Sequence, residues 1–256
     1  MRCFTMDAIL YVCHGSRVKS AVHSAIQFVK KVQKQIDCKV QEISFIELAE
    51  PSISVGLENC LRKGAKSVTV LPVLLLSANH AKVDIPLEIA KFQEVYPDIT
   101  INIAEPIGIH QNMIELIKKR INEKAKNLIK PTKIMLVGRG SSDPLTIKDF
   151  NSIVKLLEVN LNHPVLPAFM AVSKPTIHEA WNQLMNEKNN QVIIVPYLFF
   201  SGTLMNEIKH KQKTLPLAMQ NNWILCEPLG YDPLITSIFT DRIHESQAKQ
   251  LITVAK

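Results

Sequence analysis

No hydrophobic run in this sequence is long enough to cross a bilayer. The two most apolar stretches, 8–13 and 68–76, fall far short of the ~20 residues that a spanning helix needs, and Thr69 and Pro72 interrupt the second. The first is also too short for a signal-peptide core and has no small-residue cleavage site after it. Cysteine is sparse: Cys3, Cys13, Cys38, Cys60 and Cys226 are scattered, odd in number and form no CxxC pair. That excludes a disulfide framework and a structural zinc site, and points to a reducing cytosol. Aromatic residues make up only 6% and do not interleave with basic clusters, and no Lys/Arg run exceeds three. A nucleic-acid surface is therefore excluded.

What is present is an ordinary globular balance. The chain has 256 residues, 46% apolar and 21% charged, enough for one large domain or two modest ones. Its 30 Lys and Arg outweigh 23 Asp and Glu, giving a net charge of +7. That excess suits an acidic ligand such as a polycarboxylate or a phosphate.

Strand and helix signals alternate along the first half. Residues 8–13 form a continuous apolar run, as expected of a strand buried on both faces of a parallel sheet. After His14-Gly15-Ser16-Arg17, apolar residues from Val18 to Ile36 recur at three- and four-residue steps, the pattern of one helix face. Further strands are predicted at 40–47, 68–75 and 99–104, with helices at 53–63, 82–95 and 111–129. The alternation implies βαβ units and an open parallel sheet.

The second half repeats the first. Tyr11-Val12-Cys13-His14-Gly15-Ser16 aligns with Leu136-Val137-Gly138-Arg139-Gly140-Ser141 at an offset of 125 (139 − 14). Phe45-Ile46-Glu47 meets Phe169-Met170-Ala171 at 124 (171 − 47), and Val70-Leu71-Pro72 meets Ile194-Val195-Pro196 at 124 (196 − 72). Glu105-Pro106-Ile107-Gly108 meets Glu227-Pro228-Leu229-Gly230 at 122 (227 − 105). The chain therefore reads as two similar α/β domains from a duplication, 1–128 and 132–256, each a mainly parallel sheet flanked by helices. Pro131 is expected to end the helix between them.

In such sheets ligands bind outside the carboxyl ends of the strands. His14 comes after the first strand of the first half, Glu47 at the end of the second and His80 after the third, while their counterparts are Arg139, Ala171 and Leu204. The scaffold is copied but each titratable group is missing from the copy, which marks the trio as a site. Two imidazoles and a carboxylate suit Fe²⁺, Co²⁺, Ni²⁺ or Zn²⁺ and leave coordination positions open. They also accept protons near neutral pH. Arg17 and Lys82 flank the histidines and suit ligand carboxylates. Asp84 lies four residues after His80 and suits a carboxylate that orients the imidazole. Cys13 reads as a buried strand thiol, and residues 138–143 as a poor match to a phosphate loop. His110, His163, His178, His210 and His244 show no paired ligand spacing.

His14-Gly15-Ser16-Arg17, Glu47 within Phe-Ile-Glu-Leu-Ala-Glu-Pro, and His80-Ala81-Lys82-Val83-Asp84-Ile85-Pro86 resemble the class II chelatases of the SirB/CbiX group. The resemblance spans essentially the whole chain, in the long form with two fused chelatase-like domains. It implies insertion of Fe²⁺ into sirohydrochlorin to give sirohaem, or of Co²⁺ on a cobalamin route, without a nucleotide. It carries over His14 and His80 as metal-handling and proton-accepting residues and Glu47 as acidic helper. The metal is then a substrate, no cofactor is tightly bound, and the partners are an acidic tetrapyrrole and a divalent cation, with neither nucleic acid nor membrane. A monomer with two pseudo-symmetric domains is expected, the second lacking the metal-handling residues. A nickel chelatase, a non-catalytic tetrapyrrole or metal carrier, and a phosphoryl-transfer enzyme using His14 are the competing readings.

Overall fold

The computed structural model describes residues 7–77, 80–125, 128, 131–187 and 191–254. Each repeat builds a four-stranded, all-parallel sheet. In the first, β1 (Ala8–Cys13) sits between β2 (Val40–Phe45) and β3 (Ser67–Pro72), with β4 (Thr100–Ile103) outside β3. In the second, β5 (Thr132–Gly138) sits between β6 (Val165–Phe169) and β7 (Gln191–Pro196), with β8 (Trp223–Leu225) outside β7. The strand orders, β2-β1-β3-β4 and β6-β5-β7-β8, are the same order twice. The α/β duplication expected from the sequence is present.

Helices α1 (Lys19–Gln33), α2 (Ile53–Arg62), α3 (Ile85–Val95) and α4 (Gln111–Lys124) follow the first four strands. The second repeat supplies α5 (Pro144–Leu161), α6 (Ile177–Asn186), α7 (Thr203–Lys213), the single turn α8 (Leu217–Gln220) and α9 (Pro233–Val254). Among the central strands, β1 and β7 are buried at every position, and β3 and β5 at all but one. Leu10, Val12, Leu57, Val70, Ile85 and Phe92 form the centre of one core. Met135, Val137, Trp181, Ile194 and Trp223 form the centre of the other.

Several element ends differ from expectation. β2 is regular only to Phe45, and after two further ladder bonds from Ile46 and Glu47 the left-handed Leu48 (φ 60°) turns the chain away. β3 ends at Pro72, short of 75. The helix predicted over 82–95 starts at Ile85, after a five-residue π-helical turn, His80–Asp84. The helix predicted to reach 129 ends at Lys124, where Ala125 leaves helical dihedrals. Pro131 therefore does not terminate it.

The two compact units are not the two sequence halves. One comprises residues 1–108 with 235–256, the other 109–234. Each repeat thus gives its last helix to the unit built on the other repeat's sheet. In the first unit α9 packs on α1 through an edge-to-face pair, Phe239 and Phe28, with centroids 6.4 Å apart. In the second, α4 packs against α5 and β7. An arginine fixes each exchange. Arg120 of α4 donates to the Leu229 carbonyl from Nε (3.0 Å) and Nη2 (2.7 Å). Arg242 of α9 donates to Ile107 O from Nη2 at 2.7 Å. Both arginines and both carbonyls repeat at an offset of 122 (242 − 120 and 229 − 107).

Candidate functional site

β1 and β2 are parallel neighbours with Cys13 opposite Phe45, so the residues after each strand emerge side by side at the carboxyl edge. The ladder runs on past the strands. Ile46 N–H donates to Cys13 O at 2.9 Å, and Glu47 N–H to His14 O at 3.2 Å. Those two bonds bring the side chains together: His14 Nδ1 lies 3.8 Å from Glu47 Oε1. Both are partly exposed, 28% and 46%, so the pair is accessible to a ligand.

Glycine is required beside them. Gly15 has φ +94°, and a Cβ there would stand 1.8 Å from the Glu47 carbonyl oxygen. Any side chain would push the two loops apart. The Gly15 carbonyl also orients the imidazole. It lies 3.3 Å from His14 Nδ1, and a carbonyl can only accept. The contact therefore favours the Nδ1–H tautomer, with the lone pair on Nε2, the nitrogen that can take a metal or a proton.

The third predicted residue, His80, opens the π-helical turn; its side chain lies outside the described residues. Asp84 closes that turn at the start of α3 and makes no side-chain cap. Arg17 and Lys82 are both exposed, the first beyond His14 and the second within the turn. Among the described residues no three His, Cys, Asp or Glu side chains form a metal cage. Cys13 lies in the buried strand as expected, and burial pushes its thiol up to about 12, which makes it a poor metal ligand at neutral pH.

The second repeat keeps the frame without the histidine–glutamate pair. Gly140 has φ +94°, with a Cβ position 1.9 Å from the Ala171 carbonyl. Ala171 N–H donates to Arg139 O at 2.9 Å, and Val172 is left-handed (φ 63°) like Leu48. Cis peptide bonds precede Pro51 and Pro175 alike. On this frame stand an exposed Arg139 and an exposed Ala171, and Leu204 lies in α7. Residues 138–143 do not act as a phosphate cradle. Asp143 caps α5 by accepting from Leu145 N–H, and Ser173 Oγ both accepts from Ser141 N–H and donates to Ser141 O. A carboxylate already holds the helix start.

Sequence reasoning assigned no role to Gly15, Leu48 or the paired arginines. The available signal was their recurrence at the repeat offset: Gly140 for Gly15, Val172 for Leu48, Arg120 for Arg242.

A family model described as CbiX matches the chain twice, over residues 8–124 and 133–246. A sirohydrochlorin ferrochelatase from Priestia megaterium is 39% identical over 93% of this chain and 90% of its own length. A sirohydrochlorin cobaltochelatase from the same organism is 31% identical over 94% of this chain and 80% of its own. Among solved structures, SirB from Bacillus subtilis with Fe³⁺ superposes with a TM-score of 0.87 at 38% identity, covering 96% of this chain and 97% of that one.

Proposed function

The chain belongs to the CbiX family, and from that premise we propose that it is a sirohydrochlorin ferrochelatase, inserting Fe²⁺ into sirohydrochlorin to form sirohaem. The reaction consumes one divalent cation and the metal-free macrocycle, and releases two pyrrole protons. Metal is a substrate here, so the reading calls for no resident cofactor and no nucleotide. Iron is preferred over cobalt because relatives at 39% identity are ferrochelatases, against 31% for a cobaltochelatase.

In this reading the loops of the first repeat do the chemistry. The cation sheds water as imidazole nitrogen replaces it, and His14 Nε2 is held for that task by its own tautomer. His80 supplies a second imidazole. Each neutral imidazole then accepts a pyrrole proton as the metal enters the ring. Glu47, 3.8 Å from His14, offsets the positive charge that the imidazole gains. Arg17 and Lys82 receive the substrate's carboxylates, Arg17 with two-point geometry. The scattered thiols fit a reducing cytosol, where Fe²⁺ is kept from oxidation.

The observation that carries the proposal is the His14–Glu47 pair on a loop frame that the second repeat copies without either side chain. The test is spectroscopic. Purified protein is mixed with metal-free sirohydrochlorin and Fe²⁺, Co²⁺, Ni²⁺ or Zn²⁺ in turn, and the macrocycle absorbance is followed. Faster metallation than in buffer, greatest with Fe²⁺, supports it; rates equal to buffer with every metal refute it.

A further inference from the structure

We infer that Arg242, a residue of the second repeat, is a positioning residue for the loop that carries His80 in the first. The inference rests on the assignment of His80 to the site. Between the end of β3 at Pro72 and the turn that opens at His80, the described residues, 73–77, form no strand or helix. Backbone bonds hold its beginning. Val73 N–H donates to Val12 O at 2.8 Å, Ile107 N–H to Leu74 O at 3.1 Å, and Gly108 N–H to Leu75 O at 2.9 Å. Two of these three anchors come from the Glu-Pro-Ile-Gly loop after β4.

That loop is in turn held by Arg242. Its Nε donates to Pro106 O at 3.1 Å and Ile107 O at 3.3 Å, and its Nη2 to Ile107 O at 2.7 Å. Nη1 is steadied by Glu245 at 2.8 Å, and the side chain is only 14% exposed. Residue 107 is therefore gripped from both sides, its carbonyl by the guanidinium and its amide by Leu74. Charge-assisted bonds from a buried fork are strong and directional. Without them the loop keeps only its backbone contacts and the exposed Lys249–Glu105 ion pair at 3.4 Å, and the anchors of Leu74 and Leu75 slacken. His80 stands five positions after Leu75 in the sequence, so slack at the anchors is inherited by the turn that opens there.

The duplication supplies an internal control. Arg120 grips Leu229 O, Leu229 N–H donates to Leu198 O, and Gly230 N–H to Phe199 O, all at 2.7–3.0 Å. The same brace there supports a segment leading to Leu204, which cannot hold a metal. A purely structural role predicts equal consequences for the two arginines. A positioning role predicts consequences for metal only at Arg242.

The experiment compares Arg242→Ala, Arg242→Lys and Arg120→Ala with the wild-type chain. Three quantities are read: melting temperature, the Kd for Co²⁺ alone by calorimetry, and kcat and KM for metal in the sirohydrochlorin assay. Arg242→Ala is expected to weaken Co²⁺ binding and raise KM for metal by about 10–100-fold, the scale seen when a supporting partner of a metal ligand is lost, while Arg120→Ala keeps both within about twofold despite a comparable fall in melting temperature. Arg242→Lys, which keeps one donor but no fork, falls between Arg242→Ala and wild type, and reports in its place if the alanine variant does not fold. Wild-type Co²⁺ affinity and KM in the Arg242 variants, equal metal defects in Arg120→Ala, or no Co²⁺ binding by the wild-type chain would each overturn the inference. Wild-type protein that binds Co²⁺ but metallates nothing refutes the chelatase reading, and leaves the inference to be judged on Co²⁺ affinity.

Discussion

In the proposed reaction the chemistry rests on single side chains, and the frame beneath them tolerates their absence, since Arg139 and Ala171 stand in place of His14 and Glu47 on the same loop geometry. Function and stability should therefore separate at those positions. His14→Ala is expected to slow metal insertion by at least ~100-fold, the scale on which a positioned proton acceptor acts, with Glu47→Ala milder because water partly replaces a charge-balancing carboxylate. Melting temperatures should stay near wild type, since neither side chain belongs to the core. Unchanged turnover in His14→Ala would remove it from the mechanism. The thiols give a second residue-scale prediction. Burial pushes Cys13, Cys60 and Cys226 each up to about 12, so almost no thiolate is present at about pH 8 and alkylation should await unfolding. Among the described cysteines, Cys38, only half-buried, should react first under native conditions. Rapid native labelling of Cys13, read by mass spectrometry, would contradict the burial argument.

Among elements, the strands are legible in the sequence because both faces of a parallel sheet are covered, and each strand reads as an apolar run. The duplication is legible because it preserves turn residues in order. Other features are not. The π-helical turn at His80–Asp84 leaves no periodicity over five residues, and the arginine braces end on backbone carbonyls, which carry no sequence identity. Nor does periodicity reveal which sheet a helix covers, so the exchange of α4 and α9 appears only in three dimensions. The exchange does make a prediction. Asp232, nearly buried, accepts from Lys119 Nζ at 2.6 Å and from Leu234 N–H at 3.1 Å, with Arg120 Nη2 at 3.6 Å. Burial alone raises its carboxyl, but the Lys119 and Leu234 hydrogen bonds and the two cations outweigh that and hold it below the usual range. A depressed carboxyl contributes stability that is present above the unfolded value of ~3.9 and is lost as pH falls through the folded one. Asp232→Asn should thus destabilise by about 1.5–3 kcal/mol near neutral pH, and its deficit should narrow below about pH 4. Urea melts at the two pH values check this; a constant deficit would show that the charge does not matter.

For the whole molecule, the exchange means that neither sequence half contains a complete unit. Residues 1–128 lack α9, and with it the Phe239–Phe28 contact and the Arg242 brace. Expressed alone, that fragment should give no cooperative melt, whereas co-expression with 132–256 should restore one; a fragment that melts cooperatively by itself would contradict this. The duplication also explains why the site could be read from sequence at all. The second copy shows which residues the frame needs, such as Gly15 and its twin Gly140, and which it does not. If the proposed site is right, metal handling belongs to the first repeat alone. Anomalous diffraction from a Co²⁺-soaked crystal decides this. One strong peak is expected beside His14 and none at the matching loops of the second repeat; a peak beside Arg139, or none beside His14, would overturn the assignment.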